Sequence, residues 1–163
     1  MYSHIIESPV GLLTLTASDL GLTAVHFTQG NSLGHYTRSR HTILAEAENQ
    51  LLLYFGKKLE TFDLPLDFGQ APPFSRSVWL LLLRIPYGKT SSYGEIARQL
   101  GDINKSRAVG LANGSNPLAI VVPCHRVIGS DGSLTGYGGG LLAKEYLLTL
   151  ENPARAEKQG LLF

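Results

Sequence analysis

Ser92-Tyr93-Gly94-Glu95-Ile96-Ala97-Arg98-Gln99-Leu100-Gly101 runs into Asp102-Ile103-Asn104, and Lys105-Ser106-Arg107-Ala108-Val109-Gly110-Leu111-Ala112-Asn113 follows at once. Ser92 and Glu95 stand at the Ser-x-x-Glu spacing of a capping box, in which each side chain reaches the other's free backbone N–H. The helix they open is short, buries Ile96, Ala97 and Leu100, and stops at Gly101. Asp102-Ile103-Asn104 reads as a turn, with Asn104 placed to cap a second helix from Lys105 to about Asn113. Two short helices joined by a tight turn with Gly form a helix-turn-helix pattern. The second helix is lined with small residues, Ser106, Ala108, Gly110 and Ala112, and Arg107 is the one large cation among them. Such a thin surface suits close approach to a nucleic-acid groove, and equally suits tight packing on a core.

Upstream, Phe74, Val78, Leu81, Leu82 and Ile85 repeat at helical spacing until Pro86-Tyr87-Gly88 stops the run. Asp63 to Pro73 holds three prolines and a glycine and reads as a linker. Before it, Ile5, Leu13, Leu15, Val25 and Phe27 lie in short alternating runs broken at Ser8-Pro9-Val10-Gly11 and Asp19-Leu20-Gly21, which predicts three antiparallel strands. Thr42 is placed to cap a helix to about Phe55, with Ile43, Ala47, Leu51, Tyr54 and Phe55 on one face. The expected fold is α/β, more narrowly α+β. A small domain over 1–66 carries a three-stranded antiparallel sheet and a helix. A linker over 67–73 leads to a mainly helical domain over 74–163.

A chain of 163 residues, 44% hydrophobic and 17% charged, is of the size and composition that bury a core, which excludes disordered and low-complexity classes. The single cysteine, Cys124, excludes an internal disulfide framework and a four-cysteine zinc site. No apolar run reaches the about 18–20 residues that span a bilayer, and the start lacks the basic-then-apolar pattern of a secretory signal. The expectation is a soluble, cytoplasmic protein without membrane contact. Residues 1–73 carry four Lys/Arg against seven Asp/Glu, whereas residues 74–151 carry eight against five. Any nucleic-acid contact is therefore expected in the second half.

The chemistry lies further on. Leu118-Ala119-Ile120-Val121-Val122 is a β-branched apolar run, read as a buried strand, and it delivers Pro123-Cys124-His125-Arg126-Val127. An imidazole and a guanidinium flank the thiol, and positive neighbours lower a thiol's pKa. Adjacent residues of an extended strand face opposite ways, so cooperation of Cys124 with His125 needs a sharp turn or a bridging water. A third group should hold the imidazole in one tautomer. Glu151, at the end of a helix read from about Leu141, is the better-placed carboxylate, and Asp131 at a turn is the competitor. Between them, Leu134-Thr135-Gly136-Tyr137-Gly138-Gly139-Gly140 allows the backbone close to a ligand but lacks a phosphate-loop pattern.

Pro123-Cys124-His125-Arg126-Val127, with Arg107-Ala108-Val109-Gly110, Ile85-Pro86-Tyr87-Gly88, Ser92-Tyr93-Gly94-Glu95-Ile96-Ala97, Ala112-Asn113-Gly114-x-Asn116-Pro117 and Gly136-Tyr137-x-x-Gly140, resembles the O6-alkylguanine-DNA alkyltransferase family. The match is dense from Phe74 to Glu151 and only architectural before that. The resemblance implies irreversible, single-turnover transfer of the alkyl group from guanine O6 in double-stranded DNA onto Cys124, and leaves alkylated thymine O4 open as a second substrate. His125 would accept the thiol proton through water, and Glu151 would orient His125. Tyr93 would donate to the base at N3 and help rotate the nucleotide. Arg107 would fill the space of the flipped base, on a helix lying in the minor groove with Ser92, Ala108 and Asn113 among the DNA-facing residues. Asn116 would brace the turn before the cysteine. Val127 and Cys124 would read the guanine amino group through their carbonyls, Gly138 would present its N–H to O6, and Tyr137 would wall the pocket.

The resemblance further implies a protein that is a monomer in solution, compatible with cooperative loading along DNA, without cofactor and nucleoid-associated in a bacterial cell. Gly101 to Ser106 departs from the family in lacking the proline and alanine common before the arginine. Some relatives hold zinc through N-terminal cysteines; none exists here, and His4 and His26 alone form no site, so no metal is expected. Two other readings stay open: a damage-recognition module without chemistry, and a cysteine hydrolase using Cys124, His125 and Glu151.

Overall fold

Three strands open the chain: β1 (Tyr2–Ile6), β2 (Leu13–Ala17) and β3 (Leu22–Phe27) pair in order and antiparallel, with Ile6 opposite Leu13 and Leu15 opposite Val25. Alternation sends Leu13, Leu15 and Ala17 inward. On β1 the inward residues are His4 and Ile6, so Ile5 is only half-buried. His4 is tolerated there because its Nε2 meets Glu48 Oε2 at 2.6 Å. In the turn before β3, a Cβ on Gly21 would lie 2.7 Å from the Pro65 carbonyl oxygen, so only glycine fits.

The computed structural model describes residues 1–28 and 41–158. Helix α1 (Thr42–Phe55) begins at Thr42 itself; the cap position is His41, with no side-chain cap bond, rather than Thr42 as expected. Its buried face is Leu44, Ala47, Gln50, Leu51 and Tyr54, rotated from the expected one so that Ile43 and Phe55 are half-buried. Gln50 is buried because its amide closes a two-way bond with the Asp63 backbone, at 2.9 and 2.8 Å. The proline-rich stretch that follows is partly tied down. Leu22 N–H donates to the Pro65 carbonyl and Asp67 N–H to the Leu22 carbonyl, beside β3.

The chain divides into two compact units, Met1–Gln70 with Pro117–Val121, and Ala71–Asn116 with Val122–Phe163. The excursion 117–121 corrects the strand expected at 118–122. Leu118 makes a single parallel bridge to Val25, and Ile120 then turns the chain at φ 71°. Val121 N–H donates to the Ala119 carbonyl across that residue at 2.8 Å, a γ-turn. The apolar run is buried as a strand would be, but its backbone is met by that one bridge to Val25 and by a tight turn instead of a ladder.

In the second unit, α2 (Pro73–Leu82) starts with proline where its missing N–H costs nothing. It buries Val78, Trp79 and Leu82, and Trp79 Nε1–H donates to the Ala112 carbonyl at 2.8 Å. Strand β4 (Ser91–Ser92) leads into α3 (Tyr93–Gln99), then a 3₁₀ turn Ile103–Lys105, then α4 (Ser106–Gly114). Half of the expected capping box forms: Ser92 Oγ accepts from Glu95 N–H, whereas the Glu95 carboxylate faces Arg98 at 3.4 Å. Asp102, not Asn104, does the capping, accepting from Asn104 N–H at 2.9 Å and opening the 3₁₀ turn, so α4 begins one residue later than expected. Strand β5 (Val127–Ile128) pairs parallel with β4, Ser91 opposite Val127. Helices α5 (Leu141–Glu151) and α6 (Ala154–Lys158) complete the described part. No helix among the described residues is long and apolar enough to cross a membrane.

Candidate active site

Pro123, at φ −81° and ψ 64°, turns the chain so that Cys124 N–H donates back to the Val122 carbonyl at 2.8 Å. Cys124–Arg126 then form one 3₁₀ turn before β5. The turn is sharp, yet it makes no hydrogen bond between Cys124 and His125, and all three residues are buried. Successive residues of a 3₁₀ turn point about 120° apart, so the three side chains leave in three directions.

His125 is fully enclosed, and its Nε2 meets Glu151 Oε2 at 2.7 Å. Asp131, the competing carboxylate, is exposed and bound within its own turn to Ser133. Burial holds His125 below its ordinary pKa, against the pull of Glu151. Glu151, though penalised by burial, is brought down to about 2 by its bonds to His125 and Arg126. An ionised Glu151 accepts, so His125 Nε2 carries the proton and Nδ1 is the basic nitrogen. That Nδ1 is buried and bonded to no protein group among the described residues.

Arg126 does not face the thiol, which corrects the expectation that it activates Cys124. Its Nε and Nη2 donate to the two oxygens of Glu151, and its Nη1 donates to the Ile85 carbonyl at 2.7 Å. Burial pushes the Cys124 thiol up, opposed by a hydrogen bond from Asn116 and by the charge of Lys144. The resting sulfur is therefore held as the thiol, and its proton has to leave when it reacts.

Asn116 Nδ2 donates to the Val122 carbonyl at 2.8 Å, closing the base of the 117–121 excursion. Asn113, expected to face DNA, is instead buried on the inner face of α4, its Nδ2 3.4 Å from the Cys124 carbonyl. Arg107 and Ala108 are exposed on α4, away from that face. Ser92 caps α3, and the Tyr93 hydroxyl bonds to Thr135 Oγ1. A Cβ on Gly110 would lie 3.8 Å from the Tyr93 ring, so α4 packs closely on it. Burial raises the Tyr137 hydroxyl well above its ordinary pKa, and the charges of Cys124 and Glu151 raise it further. Gly138 is exposed in the turn closed by Gly140 N–H on the Tyr137 carbonyl. Val127 is enclosed, and its carbonyl is taken by Lys144.

From the sequence, Lys144 has no assigned role, and Thr135 enters only as part of the glycine-rich segment. Lys144 is fully buried in α5, donating to the Val127 carbonyl at 2.7 Å and the Thr135 carbonyl at 3.2 Å. The signal was its position one turn before Leu147 and Leu148, on the apolar face of the helix. Among the described residues, no three His, Cys, Asp or Glu side chains gather as metal ligands would. What is gathered is a single thiol, a base held in one tautomer by a clamped carboxylate, and a helix pair with a thin cationic outer face.

Two family profiles match. "6-O-methylguanine DNA methyltransferase, ribonuclease-like domain" covers residues 1–68, and "6-O-methylguanine DNA methyltransferase, DNA binding domain" covers 73–153. A methylated-DNA–protein-cysteine methyltransferase of Methanosarcina acetivorans is 47% identical over 93% of this chain and 98% of its own. One from Mycolicibacterium paratuberculosis is 52% identical over 90% and 89%. Among solved structures, Mycobacterium tuberculosis OGT in complex with DNA is 48% identical, covers 94% of each chain and superposes with a TM-score of 0.84. Along both halves of its length, the chain belongs to the 6-O-methylguanine DNA methyltransferase family.

Proposed function

We propose that this protein repairs alkylated DNA by moving the alkyl group of O6-alkylguanine onto Cys124 Sγ, once per molecule. The observation that carries the reading is the buried Cys124–His125–Glu151 turn in a unit whose other elements form a helix-turn-helix. The substrate carbon is saturated, so the step is an in-line displacement: the S–C bond forms as the C–O6 bond breaks, and the electron pair stays on guanine. The thiol proton passes through a bridging water to His125 Nδ1, the one basic ring nitrogen while Glu151 holds Nε2–H. The departing guanine takes up one proton in exchange, partly through a hydrogen bond from Tyr93 to N3. The product thioether has no polarised carbonyl for water to attack, so the thiol is not regenerated.

The lesion reaches a buried sulfur only if its nucleotide leaves the stack. Arg107, exposed on α4 among small residues, takes its place from the minor groove, and the net positive charge of 74–151 favours phosphate contact. Ser92 and Ala108 line the same DNA-facing surface, and Asn113 and Asn116 brace the floor beneath it. Tyr137 walls the pocket, Gly138 N–H meets O6, and the second lone pairs of the Cys124 and Val127 carbonyls read the guanine amino group. Thymine lacks that amino group, which makes O4-alkylthymine the secondary substrate. The protein acts as a monomer in the cytoplasm, on the nucleoid if the cell is bacterial.

Mixing the protein with an O6-methylguanine duplex and weighing the digest tests this. The Cys124 peptide is expected to gain one methyl in place of one hydrogen, in a burst that ends at one equivalent. Continued turnover with a free thiol would point to the hydrolase, and binding without modification to the recognition module.

A further inference from the structure

Tyr93 and Thr135 share one hydrogen bond between two hydroxyls. Only one of the two protons can lie in it. If the phenol donates to Thr135, it has no proton left for another acceptor; if Thr135 donates, the phenol proton is free to point elsewhere. Thr135 is therefore placed to decide which way Tyr93 works.

The backbone of Thr135 is fixed independently of that bond. Its carbonyl accepts from buried Lys144, which also holds the Val127 carbonyl, and Val127 pairs with Ser91, two residues before Tyr93. A closed circuit, Tyr93–Thr135–Lys144–Val127–Ser91, thus returns to the start of α3. On its other side the Tyr93 ring is packed by Gly110 of α4. The phenol can rotate its O–H, but its oxygen is held.

We infer that Thr135 is a positioning residue for alkyl transfer: its hydroxyl donates to the Tyr93 oxygen and so aims the Tyr93 proton at N3 of the bound base. This rests on the function proposed above and extends it. A phenol that accepts a hydrogen bond is also a stronger donor, because bonds in series polarise one another. The chain Thr135 O–H to Tyr93 O–H to N3 moves electron demand onto the guanine ring as the C–O6 bond breaks. No proton is created or lost: the guanine's gain is the proton released from the thiol, exchanged through solvent.

The test compares single-turnover transfer rates of the full-length protein and its Thr135→Val, Thr135→Ser, Tyr93→Phe and doubly substituted forms. Two duplexes are used, one with O6-methylguanine and one with its 3-deaza analogue, which has carbon in place of N3. Thr135→Val keeps the shape and removes the hydroxyl. It is expected to slow transfer from O6-methylguanine roughly 5- to 10-fold, the range of one net hydrogen bond. On the 3-deaza duplex, and in the Tyr93→Phe background, it should change the rate less than twofold, and Thr135→Ser should restore the parent rate. Equal slowing by Thr135→Val on both duplexes would overturn the inference and leave Thr135 a merely structural residue. No slowing on either would also overturn it. A parent protein that transfers no methyl at all would instead overturn the proposed function.

Discussion

Arg126 and Glu151 meet as a buried fork on a fork, Nε to Oε1 at 2.7 Å and Nη2 to Oε2 at 3.1 Å. The remaining Arg126 nitrogen is used on the Ile85 carbonyl, and the guanidinium carbon lies 5.7 Å from the centre of the Tyr87 ring. The same Glu151 oxygen that takes Nη2 also takes His125 Nε2. One carboxylate therefore answers to both side chains, with the Gly88 N–H 3.5 Å from its Oε1, and the guanidinium fixes the plane in which the imidazole must bind.

Removing that guanidinium should be costly. Arg126→Met leaves a buried carboxylate without its cation, and a broken buried pair costs about 3–5 kcal/mol. Arg126→Lys should recover only part of this, because an ammonium cannot bind two oxygens side by side. Urea unfolding of the three proteins at neutral pH checks the order.

Stability should fall away on both sides of a neutral plateau. His125 and Glu151 have folded pKa values below their ordinary 6.5 and 4.5, so the unfolded chain takes up protons first. Their contributions are present above those values and are lost as pH drops, from 6.5 downward for His125 and between 4.5 and about 2 for Glu151. The Glu151 part amounts to about 3 kcal/mol. Cys124 is raised above its ordinary 9.0, so its contribution is lost as pH rises beyond that value. Unfolding free energies measured from pH 3 to 10 should trace this dome (roughly its accessible range), and Glu151→Gln should remove the lowest limb.

Arg107 stands exposed, so Arg107→Ala should leave unfolding unchanged within about 0.5 kcal/mol. Its effect should appear in repair: transfer from duplex DNA slows well beyond transfer from the free alkylated base. Equal slowing on both would count against Arg107 as the residue that replaces the flipped nucleotide.

Two glycines of the second unit should respond oppositely to alanine. Gly88 has φ 77°, and a Cβ there would lie 3.1 Å from the Glu151 carbonyl oxygen, so Gly88→Ala should cost more than about 1 kcal/mol. Gly136 has no positive φ and open space around it, so Gly136→Ala should be neutral or slightly stabilising. Thermal unfolding separates the two.

The site was legible where chemistry and order coincide. Cys124, His125 and Glu151 are residue types that do a defined job together, and a helix end is where a third group is usefully placed. Arg126 was misjudged because adjacency in sequence is not adjacency in space: a 3₁₀ turn sends neighbours apart, and the cation beside the cysteine serves the carboxylate instead. Lys144 was passed over because lysines mostly face water, although its phase in α5 placed it among leucines. The strands of the first unit follow from alternation and turn residues. The run 118–122 did not, because an apolar β-branched segment looks alike whether a ladder or a pair of tight turns satisfies its backbone.

The five residues from Pro117 to Val121 leave their neighbours in sequence to join the first unit, where Leu118 has no exposed surface and Ile120 has 1%. A gene cut after Gln70 would give a second fragment with that greasy excursion stripped of its bed and a first fragment with an unfilled slot. Anyone wishing to split this molecule into complementing halves, or to graft its reactive portion onto another carrier, should carry the early strands along or rewrite the excursion in polar residues.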